Sequence, residues 1–384
     1  MIGKTWLKAV MACCLVLVLR TPALAETIRI AVASPFTGAL AGYGDNVKAG
    51  VTLKVEEINA QGGIDGKQIR VEWMDEQCEP REAATVSARI AQNRNIVGVV
   101  GHLCSSAHLA ALPNYLRHGV PVIAPTTTAV AISEQSKDRA GNTWAFRVVY
   151  RDDYQGEFLA EYVNEVLELK NIAVFYENND YGIGLKNAFV GKAKDLGLNI
   201  VGEEAYVSGA SDFNPQLTRL RGRNPDGLFI SGYYPEGALI AGQADGLGMQ
   251  VAKFGADGFD NVDYINLAGS AAENTYLTVP FLADAAEGDA QEFLQNFRER
   301  FNREVDWMSA NAYDAAGILL EAIAEAGADR AKIREYIASI NSPENAYHGI
   351  AGMTYFNDVG DTLKPAFVKM VKDGEFVAAP VQFE

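Results

Sequence analysis

The chain has 384 residues, 48% of them hydrophobic, and a formal net charge of −16 at pH 7. That length accommodates two domains of ordinary size, each with its own core. A body this acidic is repelled by nucleic acid and by anionic membrane surfaces, which argues against both as partners.

The first segment sets the compartment. Lys4 and Lys8 precede an apolar run over residues 9–19, and Ala23-Leu24-Ala25 follows. This is the three-part layout of a secretory signal peptide, with cleavage expected after Ala25. The apolar run falls well short of the roughly 20 residues that a membrane-crossing helix needs. Val10-Met11-Ala12-Cys13 loosely resembles a lipoprotein site, but most of the apolar run would then lie after the cut. Cys13 and Cys14 leave with the signal, so the exported chain keeps Cys78 and Cys104. In an oxidising compartment such a pair reads as one disulfide, the alternative being two buried free thiols.

Strand and helix patterns then alternate. Residues 27–33 form a β-branched, apolar strand, followed by a glycine-rich loop to Gly44. Asp45 offers an N-cap for a helix in which Val47, Val51, Val55 and Ile58 share a face until Gly62-Gly63 ends it. Residues 68–75 are the next strand, Pro80 opens a helix, and 96–101 and 121–124 read as buried strands. After a break the rhythm resumes with helix 154–167, strand 171–176 and helix 183–196. Segments 213–221, 226–231, 237–247 and 251–256 continue it.

Continuously apolar strands in repeated βα units imply parallel sheets covered on both faces, here in two α/β lobes. The tail, with strand 275–279, helices near 291–301 and 310–326 and further short strands, is expected to complete both sheets by crossing back. The resulting division is a signal at 1–25, an N-terminal lobe at 26–147 plus about 278–357, and a C-terminal lobe at 148–277 plus about 358–384.

Ligands of open parallel sheets bind past the carboxyl ends of the strands. In the first lobe those positions hold Tyr43, then Leu103, Cys104, Ser105 and Ser106, then Thr126, Thr127 and Thr128. The second lobe supplies Asp180-Tyr181, Tyr233-Tyr234 and Asp257. Hydroxyls and loop N–H groups suit a carboxylate, while an acid with carbonyls suits an ammonium, so the set is shaped for an amino acid.

Catalytic signatures do not accompany these loops. Gly42-Tyr43-Gly44 lacks the third glycine of a dinucleotide fingerprint, and neither Gly66-Lys67 nor Gly191-Lys192 has the earlier glycine of a P-loop. Nucleophile-elbow and His-Glu-x-x-His patterns are absent from the sequence. His102, His108 and His118 lack acids at metal-site spacing and read as packing or surface residues. The expectation is a binding protein without catalysis, metal or cofactor.

Gly101-His102-Leu103-Cys104-Ser105-Ser106, Ala41-Gly42-Tyr43-Gly44-Asp45 and Glu76-Gln77-Cys78-Glu79-Pro80 resemble the periplasmic leucine/isoleucine/valine-binding proteins. So do Asn59-Ala60-Gln61-Gly62-Gly63-Ile64 and Ser231-Gly232-Tyr233-Tyr234-Pro235-Glu236. The resemblance implies a type I periplasmic-binding-protein fold with three crossovers. It also implies hinge closure on an aliphatic L-amino acid, branched-chain ones foremost, and delivery by a monomer to the permease subunits of an ABC importer. The alternatives are a ligand-sensing role on the same fold, or binding of another small amino acid or related solute.

The resemblance also implies roles. Ser105 and Thr128 would bind the ligand carboxylate, the main chain at Thr126 and the Asp257 carboxylate the ammonium. Tyr43, Leu103, Cys104 and Tyr181 would form pocket walls, Tyr233 would line the second lobe, and Cys78 would pair with Cys104. Two departures accompany it: Asp257 replaces a longer Glu and Thr126 replaces a small Ala, and a wall expected to be Phe falls near Met308. These changes keep the headgroup reading but argue against strict leucine specificity.

Overall fold

The computed structural model describes residues 27–285 and 288–383; the expected signal peptide and its cleavage site at Ala25 lie outside the described residues. The chain opens with β1 (Thr27–Ser34), α1 (Ala41–Ala60), β2 (Gln68–Asp75), α2 (Pro80–Gln92) and β3 (Ile96–Gly101). It continues through α3 (Ser105–His118), β4 (Val122–Ala124), α4 (Val130–Glu134) and β5 (Ala145–Arg147). These strands make one parallel sheet in the order β2-β1-β3-β4-β5.

The second lobe starts with α5 (Asp152–Glu165), β6 (Asn171–Glu177), α6 (Asp180–Asp195), β7 (Asn199–Tyr206) and α7 (Asn214–Arg221). Then come β8 (Gly227–Ser231), α8 (Tyr234–Gly246), β9 (Ala252–Gly255), α9 (Val262–Ala268) and β10 (Thr275–Val279). The tail holds α10 (Asp289–Phe301), α11 (Trp307–Ala326), α12 (Arg330–Ser339), a hairpin of β11 (Tyr347–Gly349) and β12 (Gly352–Thr354), then β13 (Phe367–Lys372) and β14 (Glu375–Ala378). The second sheet runs β14-β13-β10-β9-β8-β6-β7, with β13 and β14 antiparallel at one edge.

The chain crosses between the lobes three times: after β5, after β10 and before β13. The tail does not complete both sheets as expected. Of its strands, β10, β13 and β14 join the second sheet and β11 and β12 pair only with each other, whereas α11 and α12 pack over the first sheet, against α1, β3 and β4. The first sheet already has five strands, so what it lacks is cover for one apolar face.

Burial explains why β1 reads as a continuous apolar run. Ile28, Ile30 and Val32 enter the core shared with α1 and α11, while Ala31 and Ala33 enter the core beneath α2 and α3. Over residues 30–33 both faces are covered, so no position there favours a polar residue, whereas Arg29 is only half-buried and pairs with Glu72 at 3.0 Å. Val47, Val51 and Val55 of α1 lie in the first of these cores, each burial worth about 1.5–3 kcal/mol relative to exposure.

Helix starts depart from the sequence reading in one direction. Asp45 does not cap α1; the helix begins at Ala41, after Leu40. The glycines there mark close packing, because a Cβ on Gly44 would stand 1.9 Å from the Pro35 carbonyl oxygen. Helix α6 likewise begins at Asp180 and α8 at Tyr234, each three residues earlier than periodicity suggests.

Cys78 and Cys104 are bonded, with Cα atoms 5.4 Å apart. The bond ties the turn after β2 to the first residues of α3. Reduction is expected to lower unfolding stability by about 3–4 kcal/mol on the chain-entropy view, read as a drop in urea midpoint. An unchanged midpoint would mean that the reduced chain keeps the loop closed by packing alone.

Candidate functional site

A small enclosed cavity of about 20 Å³ lies between the two sheets. It is lined by Tyr43, Leu103, Ser105, Thr126, Thr128, Tyr181, Tyr233 and Asp257, together with Gly258, Trp307 and Met308. Larger grooves open elsewhere, one beside Lys54 and Tyr347 and one beside Tyr154 and Leu363. Only the enclosed cavity sits where the starts of several helices converge.

That convergence follows from topology. Each βα turn leaves a strand at its carboxyl end, so the first turn of the next helix points at the crevice. Ser105 begins α3, Tyr181 is the second residue of α6, Tyr233 caps α8 and Tyr43 lies in the first turn of α1. Cys104, the N-cap of α3, makes no side-chain capping bond. The free N–H groups and dipole of that turn therefore favour an anion.

Cys104 is the one expected wall residue that does not line the cavity. Its side chain is committed to Cys78 instead, and it positions Ser105 through the backbone.

The β4–α4 loop is held from behind. Arg147, 2% exposed, donates to the carbonyls of Thr127 and Ala129 at 3.1 Å and to Ser133 Oγ at 2.7 Å, and its Nε pairs with Asp361 Oδ1 at 2.8 Å. Asn311 Nδ2 donates to the Pro125 carbonyl at 3.0 Å. The hydroxyl of Thr126 donates to the Leu103 carbonyl at 2.8 Å, so the extra group relative to Ala is absorbed by the neighbouring loop. Ser105 Oγ accepts from the Ala129 N–H at 3.3 Å.

Opposite, Asp257 sits in a single 3₁₀ turn, 3% exposed. Its Oδ1 accepts from Tyr181 Oη at 2.6 Å, and Oδ2 has no partner among the described residues. Burial pushes its carboxyl up to about 7, Asp260 adds to this, and the bonds from Tyr181 and the Gly258 N–H oppose it. Tyr181 and Tyr233 stack at 5.0 Å, forming an aromatic wall.

Asp152, the first residue of α5, was not among the expected site residues. It is fully buried beside the Thr128 hydroxyl, and neither carboxylate oxygen has a hydrogen-bond partner among the described residues. Burial, and next the Asp257 carboxylate, hold it well above the usual carboxylate range. Nothing in its sequence neighbourhood marks it, since an Asp in a helical first turn reads as an ordinary favourable charge. Trp307 and Gly258 were missed too; Trp307 reaches the cavity only because α11 crosses back from the tail.

The lobes touch directly around this cavity. Tyr43 Oη donates to the Gly258 carbonyl, Tyr234 Oη to the Ala39 carbonyl at 2.9 Å, and Ser106 Oγ to Asp180 Oδ2 at 2.6 Å. Of the expected packing histidines, His102 lies between Glu76 and Tyr115, and His108 meets the Thr127 hydroxyl through Nδ1 while its buried Nε2 has no partner among the described residues.

Two α/β lobes joined by three crossovers, closed over a small polar cavity at the carboxyl ends of their strands, define a two-lobed solute-binding protein. Residues 27–375 match the family model described as periplasmic binding protein, and the chain belongs to that family. It is 30% identical over 340 residues to the leucine-, isoleucine-, valine-, threonine- and alanine-binding protein of Pseudomonas aeruginosa, covering 88% of this chain and 87% of that one. It is 33% identical over 273 residues to the Leu/Ile/Val-binding protein of Escherichia coli K12, 71% of this chain and 73% of that one.

Among solved structures, the branched-chain amino acid transporter substrate-binding protein LivJ of Streptococcus pneumoniae, in complex with isoleucine, superposes with a TM-score of 0.85 at 31% identity. That likeness covers 93% of this chain and 100% of that one. The leucine-binding protein LivK of Thermotoga maritima gives 0.84 at 30% identity, covering 93% and 99%. These relatives are solute-binding proteins rather than enzymes, and the fold is that of the type I periplasmic binding proteins.

Proposed function

We propose that the protein is a monomeric periplasmic receptor that closes on a neutral L-α-amino acid with a compact aliphatic side chain, branched-chain members first, and delivers it to an ABC permease without chemical change. The observation that carries this reading is the pairing, in one enclosed cavity, of an anion-favouring helix start with a buried, half-partnered carboxylate. Ser105, Thr128 and the first turn of α3 take the ligand carboxylate. The Asp257 carboxylate and the Thr126 carbonyl take the ammonium. Burying a zwitterion is costly unless nearly every group is matched, which is the basis of selectivity for the headgroup.

Hinge closure between the lobes, with boundaries near 26–147 plus 278–357 and 148–277 plus 358–384, brings Tyr233 and Asp257 onto a ligand first held by the other lobe. Export by the N-terminal signal, with cleavage after Ala25, places the receptor outside the cytoplasmic membrane.

Calorimetric titration of ligand-stripped protein with a panel of L-amino acids tests this. Micromolar or tighter binding of valine, isoleucine or leucine is expected. Silence across the whole panel would move the solute outside the amino acids.

The state of Asp257 predicts a pH signature. In the closed cavity without ligand the carboxyl is mostly protonated at pH 6, and an incoming ammonium favours the anion, so filling that cavity releases a proton. Affinity should rise from pH 5 towards pH 7, at a slope approaching tenfold per unit, and level off above about 7. Titration in two buffers of different ionisation heat reads the released proton; no uptake or release at pH 6 would contradict the assignment. The same linkage has the opposite sense in the ligand-free fold. A carboxyl raised by folding binds its proton more tightly when native, so its contribution to stability is lost as pH climbs from about 4 to about 7.

A further inference from the structure

Leu103, Trp307 and Met308 are the large non-tyrosine hydrophobic residues that line the cavity. Trp307 is 2% exposed, and its indole Nε1 is buried without a hydrogen-bond partner among the described residues. Indole N–H groups almost always find an acceptor when buried, because an unmatched donor keeps its full desolvation cost. Thr126, another side-chain donor lining the cavity, already gives its hydroxyl proton to the Leu103 carbonyl.

The indole is also firmly placed. Trp307 is the first residue of α11, whose N-cap Asp306 accepts from the Ser309 N–H at 3.0 Å. Ser309 Oγ bonds in turn to the Asn46 carbonyl of α1 at 3.0 Å. The two helices meet so closely that a Cβ on Gly50 would lie 2.1 Å from the Ser309 carbonyl oxygen. One turn further along α11, Asn311 Oδ1 has no hydrogen-bond partner among the described residues, its Nδ2 being held by the Pro125 carbonyl.

We propose that Trp307 is a specificity-determining residue: its buried N–H selects a small amino acid whose side chain carries a hydrogen-bond acceptor, a hydroxyl above all, over the isosteric aliphatic one. The proposal rests on the amino-acid reading above and refines its substrate class. A hydroxyl suits the site because it accepts from the indole and still has a proton to donate. A methyl group in the same place leaves the indole N–H unmatched, and sites built to hydrogen-bond a ligand discriminate strongly against analogues lacking the group.

L-Threonine and L-valine differ by hydroxyl for methyl at nearly constant shape, so they isolate this contact. Calorimetry on ligand-stripped wild-type protein is expected to give threonine about tenfold tighter binding than valine. In Trp307→Phe, which keeps an aromatic wall and removes the N–H, the ratio should fall to about one, with valine affinity held or improved. Valine binding as tightly as threonine to the wild type overturns the proposal, and so does an unchanged ratio in the variant. Should the variant fail to fold, the wild-type ratio alone decides. Loss of all amino-acid binding by the wild type would overturn the proposed function and this refinement together, whereas tight valine binding without threonine preference overturns only the refinement.

Discussion

Asp257→Ala is expected to weaken amino-acid binding by about 2–5 kcal/mol, roughly 30-fold to several-thousand-fold, when measured at pH 7.5. Most of that loss comes from leaving the ligand ammonium buried without its countercharge. Tyr181 would lose the acceptor it holds at 2.6 Å, and its hydroxyl, still donated to by the Gly258 N–H at 3.2 Å, would be left without an outlet for its own proton. Asp257→Glu should stay within about tenfold of wild type, because the charge remains and a longer arm can be accommodated against the aromatic wall. Ser105→Ala should cost less than Asp257→Ala, since the N–H groups of the first turn of α3 remain for the carboxylate. Affinity unchanged in Asp257→Ala would remove the acid from the ammonium role, leaving Asp152 as the remaining buried carboxylate near the cavity.

Arg147→Ala is expected to destabilise the fold by about 3–5 kcal/mol, the range for breaking a buried ion pair from one side. Asp361 would keep Arg151 at 3.1 Å and Ser133 Oγ at 2.7 Å but lose its fully buried partner. The carbonyls of Thr127 and Ala129 would lose their donors at the same time. Because those carbonyls hold the loop that carries Thr126 and Thr128, ligand affinity should fall along with stability. Urea unfolding with and without ligand separates the two losses. A change below about 1 kcal/mol would mean that water replaces the guanidinium without penalty, contrary to the cost of unmatched buried groups.

The βα rhythm was readable because buried parallel strands are apolar on both faces, and the loops at their carboxyl ends could be located by counting. This brought Tyr43, Ser105, Thr128, Tyr181, Tyr233 and Asp257 to notice. What periodicity missed has a common physical origin. The first turns of α1, α6 and α8 face the crevice rather than a core, so they carry glycine, aspartate and tyrosine where an apolar stripe would be sought. Helix α3 was hidden by Pro113 inside it and by its Ser-Ser start. Strand β7 is an edge strand with a polar, half-exposed pattern, and β5 is only three residues long. Trp307 and Asp152 depend on where crossovers place helices far from the loops in sequence, which no local pattern records.

The bonds between Tyr43 and Gly258, Tyr234 and Ala39, and Ser106 and Asp180 involve protein groups alone. Their free energy therefore enters the affinity of every ligand as the same additive constant, while residues such as Trp307 contribute the part that differs from one ligand to the next. Weakening a lobe-to-lobe bond, as in Ser106→Ala, multiplies all dissociation constants by one common factor and leaves their ratios untouched. Tyr43 belongs to both sets, since it lines the cavity and bonds across the lobes. Elsewhere selectivity and overall affinity are set by separate residues, and substitution at a wall position such as Trp307 can redirect the receptor to a new solute without altering how firmly it shuts.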